Sequence, residues 1–172
     1  MSGVVPEFSR LVPLTRLGPE PFRQRIEATM QEREGLSKRF ELLALHRLVA
    51  EVELGRQSGE AILLDAVFEA EFDQCCAITL EPIRGAIADR FSLLYGTNPQ
   101  EDQELALNGD EPAFELLTGD AIDIGEAVAQ ELSLALPDFP RDPDAVIDAA
   151  GLGDPIEQPF ASLAQLRKDT EC

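Results

Sequence analysis

Alternation of apolar and polar side chains in two neighbouring segments is the feature that most constrains how this chain folds. Apolar residues occupy every second position from Leu48 to Leu54 and again from Ala66 to Phe72. Side chains of a strand point alternately to its two faces, so each segment predicts a strand with one buried and one solvated face. Residues Gly55 to Gly59 lie between them and predict a turn. The sequence therefore predicts an antiparallel hairpin.

Two further segments are expected to extend this sheet. A third strand is predicted from Ile87 to Tyr95, and residues Phe114 to Leu117 are expected to return to the sheet edge. On that third strand, the side chains of Ile87, Phe91 and Leu93 are expected to face the protein core. Between the two segments, residues 96–112 form a polar, acidic loop that is the best candidate for local disorder. Residues 1–28 contain four prolines and are expected to be extended.

Two helices are predicted from capping patterns. Asp123 and Glu126 form a D-x-x-E cap, and Pro137 is expected to end the helix that follows. Its buried stripe recurs every four residues, at Ile124, Val128, Leu132 and Leu136. Thr29 and Glu32 have the spacing of a capping box and predict a short helix. The side chains of Leu36 and Phe40 would pack this helix against the rest of the domain.

The predicted fold class is α+β, with an antiparallel β-sheet packed by one long amphipathic helix and one short helix. A chain of 172 residues is long enough for one domain with a core and short for two. We expect residues 1–140 to form a single α+β domain. Residues 141–172 are expected to form an irregular tail that contains prolines and glycines.

Charge is distributed unevenly along the chain, and no Lys or Arg lies between Arg90 and Arg141. Residues 1–90 contain 15 acidic and 11 basic residues, whereas residues 91–172 contain 18 acidic and three basic residues. Because non-specific binding to nucleic acid depends on Lys and Arg, any direct contact with RNA is expected from the first half. The acidic half suits a basic protein partner, or serves solubility alone.

Neither a membrane segment nor an export signal is predicted. The chain has no run of about 18 apolar residues, and its N-terminus lacks a basic start followed by an apolar core. The three cysteines, Cys75, Cys76 and Cys172, do not form a disulfide framework. A cytoplasmic protein in a reducing compartment is the simplest interpretation.

The sequence offers few groups for catalysis. Its single histidine, His46, lies among leucines and favours a packing role over that of a general base. Glu69 and Glu71 fall on one face of a strand, where solvation is favoured over a metal site or a metal-dependent enzyme. Adjacent cysteines of an extended chain point to opposite sides, so free thiols at Cys75 and Cys76 are favoured over zinc ligation. We expect no catalytic residue and no cofactor.

Two separated segments resemble the elements of one known family. Residues 74–82 read Gln-Cys-Cys-Ala-Ile-Thr-Leu-Glu-Pro, and about forty residues later positions 120–126 read Asp-Ala-Ile-Asp-Ile-Gly-Glu. In this order they resemble the C-x-x-C-L-E-P and D-x-x-D-L-G-E elements of the bacterial YceD family, also called large ribosomal RNA subunit accumulation proteins. The resemblance extends over about residues 20 to 140. The elements and the candidate interaction surface comprise Cys76, Thr79, Leu80, Glu81, Pro82, Asp120, Asp123, Gly125, Glu126 and Glu131.

The chain departs from the family pattern at its cysteines. When Leu80 to Pro82 is aligned, the first family cysteine falls on Cys76 and the second on Thr79. The second cysteine pair that many members carry is missing from residues 145–155. With one of four possible ligands left, zinc binding is expected to be absent here. The first element is then expected to persist as a strand end and a turn, with Thr79 and Glu81 kept for turn geometry or as a surface.

The resemblance implies a non-enzymatic role in accumulation of large-subunit (23S-type) ribosomal RNA and in assembly of the large subunit. The expected partner is a large-subunit precursor or a basic ribosomal protein, bound by the negative rim of the second helix at Asp120, Asp123, Glu126 and Glu131. Alternatively, Asp123 and Glu126 only cap that helix. The alternative function is that of an RNA-independent chaperone or adaptor for a single basic protein.

A weaker surface for direct RNA contact is expected within residues 23–39. It would consist of Arg23, Arg25, Arg33, Lys38 and Arg39.

Overall fold

The computed structural model describes residues 6–57, 61–97 and 112–145. The elements in chain order are β1 (Leu11–Pro13), a 3₁₀ turn (Leu14–Arg16), β2 (Phe22–Glu27), α1 (Met30–Arg39), β3 (Ala44–Arg56), β4 (Ile62–Cys75), β5 (Pro82–Gly96), β6 (Ala113–Leu116), β7 (Ala121–Asp123) and α2 (Ile124–Ala135). The architecture is α+β. The helices α1 and α2 contain 10 and 12 residues, so they differ less in length than the sequence predicts.

The main sheet has five strands in the order β2-β3-β4-β5-β6. The predicted hairpin is confirmed as the antiparallel pair β3–β4, but the predicted start of its turn is wrong. Gly55 and Arg56 still pair with Leu63 and Ile62, so the strands continue for two residues. Residues 58–60 lie outside the described part of the chain.

The third strand and the return to the sheet edge are also confirmed, with one correction. β5 pairs with β4 from Pro82 to Tyr95, and β6 pairs with the end of β5. The β5–β6 pair is parallel, so the sheet is mixed and the prediction of a purely antiparallel sheet is wrong. Of the predicted disordered loop 96–112, positions 98–111 lie outside the described residues.

The N-terminal segment contributes two strands, β1 and β2, that the sequence did not predict. β2 is an edge strand of the main sheet and pairs with β3 from Phe22 to Glu27. β1 pairs with β7 in a separate two-stranded sheet, in which Val12 faces Ile122. The expectation of an extended segment missed both pairings because short strands next to prolines carry little periodicity.

One face of the sheet, called the inner face below, carries the hydrophobic core. Phe68 and Phe72 of β4 are buried there, and so are Ile124, Val128 and Leu132 of α2. Full burial of side chains of this size contributes about 1.5–3 kcal/mol each. α2 therefore docks through the apolar stripe that the sequence predicts, and Leu136 follows it as the C-cap residue.

The predicted capping box at the start of α1 is present and is reinforced by an arginine. The Thr29 hydroxyl accepts from the Glu32 amide, and the Glu32 carboxylate accepts from the Thr29 amide at 2.8 Å. Arg10 donates to both oxygens of Glu32, at 2.6 and 3.0 Å. The Arg10 guanidinium, with further help from Thr29, lowers the pKa of Glu32 to about 2 against the opposing effect of burial. This pair fastens the N-terminal segment to α1.

Glu32→Gln is expected to lower the free energy of unfolding at pH 7 by about 2 kcal/mol, because the charge-assisted pair with Arg10 is lost. Since the folded-state pKa of Glu32 is depressed, its contribution is complete above the unfolded-state pKa and disappears as the pH falls from about 4.5 to about 2. Urea titrations at pH 7 and pH 3 measure the difference. An equal difference at both pH values would contradict the ion pair.

The described residues up to Asp142 belong to one compact unit, and of the segment that follows the structure describes only 143–145. The predicted division into a domain of residues 1–140 and a tail of residues 141–172 stays a prediction. Neither helix in the described ranges has the length and apolar composition of a bilayer-spanning segment.

Candidate interaction surfaces

The first family element forms the turn between β4 and β5, as expected for a strand end and turn. The Cys76 amide donates to the Glu81 carbonyl at 2.8 Å, and the Leu80 amide donates to the Cys76 carbonyl at 3.0 Å. Leu80 has a positive φ of 61°, a value that residues with a side chain rarely adopt. The Thr79 hydroxyl accepts from the Glu81 amide at 3.3 Å, and β5 begins at Pro82. These side chains therefore shape the turn.

The two neighbouring thiols differ in their surroundings. Cys75 is exposed and donates to the Leu80 carbonyl at 3.1 Å, whereas Cys76 is fully buried. The Cys76 sulfur accepts from the amides of Thr79 and Asp142, at 3.5 and 3.4 Å. Both thiols are free, and the described residues contain no group of three His, Cys, Asp or Glu side chains that could hold a metal ion. Cys172 lies outside the described ranges.

The bonds around Cys76 favour its thiolate form. The Thr79 hydroxyl, followed by the amides of Thr79, Asp142 and Ile78, lowers the pKa of Cys76 to about 7, while burial acts in the opposite direction. The folded state thus holds the thiolate from about pH 7, and the unfolded chain holds it only from about pH 9.

A Cys76→Ser variant is therefore expected to lose stability relative to the wild type in a pH-dependent way. Because the folded-state pKa is depressed, the contribution of the thiolate is present above about pH 9 and is lost as the pH falls to about 7. The difference in free energy of unfolding, measured by urea titration in a reducing buffer, should grow between these pH values. Cys75→Ser is the control for loss of a thiol at the same turn. A difference that stays constant across the window would contradict the thiolate.

The second family element fastens the N-terminal segment to α2. Asp123 is the N-cap residue, and its Oδ1 accepts from the amides of Gly125 and Glu126 at 3.1 and 3.2 Å. The same carboxylate accepts from the Arg10 amide at 2.7 Å and from the Ser9 hydroxyl at 2.5 Å. Ser9 and Arg10 are more than one hundred positions away from Asp123 in the sequence. Asp123 is thus fully engaged within the chain.

Gly125 and Glu126 complete the same junction. A Cβ at Gly125 would lie 2.5 Å from the Phe8 carbonyl oxygen, so only glycine allows the N-terminal segment to approach α2 this closely. Glu126 does not reach back to the cap; its two carboxylate oxygens accept from Arg39 of α1 at 2.9 and 2.7 Å. The hydrogen bonds of Asp123 agree with the alternative that it caps α2. Glu126 instead forms an ion pair that joins α2 to α1.

Asp120 and Glu131, the outer members of the expected negative rim, are placed differently. The Asp120 side chain is exposed, and the residue's carbonyl accepts from the Leu14 amide at 2.8 Å. Glu131 lies on α2 near two carboxylates that the sequence did not single out, Asp89 of β5 and Glu115 of β6. Burial, followed by the charges of Asp89 and Glu115, raises the pKa of Glu131 above its ordinary value.

We call Asp89, Glu115 and Glu131 the acidic cluster. Burial, followed by the charges of Glu115, Asp123 and Glu131, raises the pKa of Tyr95 of β5 to about 12. In the part of the chain that the structure describes, no Lys or Arg forms an ion pair with a member of the cluster. The cluster was not predicted because its strands and helix meet only in the fold.

The basic residues of positions 23–39 are divided between β2 and α1. Arg23 and Arg25 project from β2, and Arg23 pairs with Glu53 at 2.8 Å. On α1, Arg33 donates to the His46 carbonyl, and Arg39 is held by Glu126 and by Glu7. The strand and the helix thus divide the set, which weakens the expected RNA surface.

The remaining candidates for chemistry are engaged in pairs. Nε2 of His46 lies 2.7 Å from a carboxylate oxygen of Asp73. Glu69 and Glu71, on the face of β4 opposite the core, pair with Arg47 at 2.7 Å and with Arg84 at 3.3 Å. Ion pairs with neighbouring strands therefore account for these carboxylates.

Comparison with known proteins agrees with the family resemblance. The family model for "Large ribosomal RNA subunit accumulation protein YceD" matches residues 64–167, which is more than half of the chain. Relative to the expected range of residues 20 to 140, the match begins later, within β4, and extends further along the chain. No curated protein and no solved structure matches the chain. The chain belongs to the YceD family of large ribosomal RNA subunit accumulation proteins.

Proposed function

We propose that this protein supports the accumulation of large-subunit ribosomal RNA as a non-enzymatic binding factor that holds a basic component of the assembling large subunit. The binding surface is the acidic cluster of Asp89, Glu115 and Glu131. The observation that carries the proposal is that the charges of Asp89 of β5 and Glu115 of β6 both act on Glu131 of α2, while no Lys or Arg of the described residues forms an ion pair with any of the three. The family supplies the biological process, and the cluster supplies the chemistry of the partner.

Like charges held together make the folded state less stable, and a cationic partner relieves this repulsion. Solubility alone is served by carboxylates spread over the surface, and it does not require two of them to act on a third that is partly buried. The net charge of −19 also attracts basic proteins over a distance and raises the rate of encounter. A basic ribosomal protein therefore fits the cluster better than phosphate does.

Among the candidate residues from the sequence, Glu131 is the one that stays at the centre of this surface. Asp120 is an exposed carboxylate that adds to the negative field. Three of the other candidates act in folding. Asp123 binds the N-terminal segment, which packs closely on Gly125 because glycine has no side chain, and Glu126 joins α2 to α1. An effect on ribosomal RNA would then be indirect, through the bound protein.

Affinity purification of the tagged protein from growing cells tests the proposal at moderate and at high salt. We expect large-subunit precursor RNA together with a subset of large-subunit proteins at moderate salt. Loss of the direct partner at high salt is expected, because screening weakens surface attraction. Recovery of a single basic protein without RNA would instead favour the chaperone or adaptor. Recovery of neither would contradict the proposal.

A further inference from the structure

The strand β6 leaves one side of its backbone open at the edge of the main sheet. Within the described chain it pairs with the end of β5 alone, and all four of its residues are exposed. The Leu117 amide donates to the Gly96 carbonyl at 2.8 Å, so the odd-numbered residues of this segment point their backbone groups toward β5. The amides and carbonyls of Phe114 and Leu116 therefore point away from the sheet, where a further strand would pair.

The side chains of β6 present an apolar face and an anionic face. Phe114 lies beside Leu94 on the outer face of the sheet, opposite the core, and Leu116 follows on the same face. Phe114 is 37% exposed and Leu116 is 54% exposed. Glu115 lies on the inner face beside Tyr95 and forms no ion pair with a Lys or Arg of the described residues. Exposed apolar side chains at an open strand edge are typical of an interaction site.

Charge distinguishes β6 from the other open edges of the main sheet. One of these is the edge strand β2, and the other is the part of β5 that β6 does not pair with, residues 82–92. Each contains two arginines and one acidic residue. They are Arg23, Arg25 and Glu27 in β2, and Arg84, Asp89 and Arg90 in β5. The single charged residue of β6 is Glu115, so β6 is the open edge whose own charge favours a basic segment.

We propose that β6 binds an extended segment of a basic protein partner as an additional strand of the main sheet. The residue opposite Glu115 would be Lys or Arg, and its two neighbours would be apolar and pack on Phe114 and Leu116. This pattern follows because directly opposed side chains of an antiparallel pair lie about 5 Å apart on one face of the sheet. The inference rests on the proposed function and adds the conformation and the residue pattern of the partner segment. In such complexes backbone hydrogen bonds supply affinity, and alternate side chains supply specificity.

Fluorescence anisotropy with two labelled ten-residue peptides tests the inference. In one peptide Val and Lys alternate, and in the other five Val precede five Lys, so the two have the same composition and charge. We expect the alternating peptide to bind the wild type at least about tenfold more tightly than the other. Leu116→Pro should remove this preference, because proline has no amide to donate at the open edge. Circular dichroism establishes that this variant is folded.

Charge reversal at Glu115 provides a second variant that keeps the backbone of β6 intact. Glu115→Lys should weaken binding of the alternating Val/Lys peptide at least about tenfold and strengthen binding of a peptide in which Val alternates with Glu. Glu34→Lys changes the net charge equally at an exposed position of α1 and should retain the preference of the wild type. Equal effects of the two substitutions would overturn the strand addition.

Amide hydrogen exchange locates the bound peptide. The amides of Phe114 and Leu116 should exchange at least about tenfold more slowly in the complex with the alternating peptide. Unchanged exchange at both positions, or equal binding of the two Val/Lys peptides, would overturn the strand addition and leave the proposed binding of a basic component standing. Failure of the wild type to recover large-subunit proteins in affinity purification would instead contradict the proposed function itself.

Discussion

Replacement of Asp123 by Ala is expected to lower the free energy of unfolding by about 3 kcal/mol. The carboxylate caps α2 through two amides and also binds the Arg10 amide and the Ser9 hydroxyl. Loss of a cap costs about 1 kcal/mol, and a partly buried amide left without its acceptor adds about 1–3 kcal/mol. Urea unfolding followed by circular dichroism measures the change.

Two control variants separate the roles of this carboxylate. Asp123→Asn keeps an oxygen for the cap and should cost less than Asp123→Ala, because Asn is also a favoured N-cap residue. Ser9→Ala removes only the hydroxyl that donates to Oδ2. A loss below about 1 kcal/mol in Asp123→Ala would mean that the second family element does not secure the N-terminal segment.

The double variant Asp89→Lys/Glu131→Lys is expected to bind the basic large-subunit component about 100-fold more weakly than the wild type. Charge reversal at two positions turns attraction into repulsion, and like charges across an interface cost several kcal/mol. Binding of the partner recovered by affinity purification, measured at moderate salt, gives the ratio. The matched control is Glu20→Lys/Glu34→Lys, which changes the net charge equally at two exposed carboxylates elsewhere. Equal weakening of binding in both variants would show that net charge, and not the acidic cluster, determines the affinity.

Stability distinguishes loss of binding from loss of folding. Since its pKa is raised, Glu131 makes the folded state less stable as the pH rises above the ordinary range of a carboxyl group. Glu131→Gln should therefore weaken partner binding and raise the free energy of unfolding at pH 7. A variant that is less stable than the wild type would contradict the repulsion within the acidic cluster.

Local patterns in the sequence predict much of this fold. The alternation in β3 and β4 specifies a hairpin because side chains of period two define a buried face. Thr29 and Glu32 specify the start of α1, and Asp123 specifies the start of α2, because side chains satisfy amides that the helix leaves open. Such features depend on residues within a few positions of one another.

Contacts between distant segments explain what the sequence does not reveal. The parallel pairing of β6 with β5 and the pairing of β1 with β7 join segments whose periodicity is short. Glu126 has the spacing of a capping residue, but Arg39 lies within reach and binds it as an ion pair. The acidic cluster combines carboxylates of three elements, so only the chain's course around the sheet brings them together.

The ratio of large-subunit to small-subunit ribosomal RNA in cells tests the central claim most directly. The wild-type protein would be replaced by the Asp89→Lys/Glu131→Lys variant, with the Glu20→Lys/Glu34→Lys variant as control and the amount of each protein checked. We predict that the ratio falls only when the acidic cluster is reversed. A normal ratio in cells that contain the folded cluster variant at the wild-type level would contradict a role for the acidic cluster in ribosomal RNA accumulation.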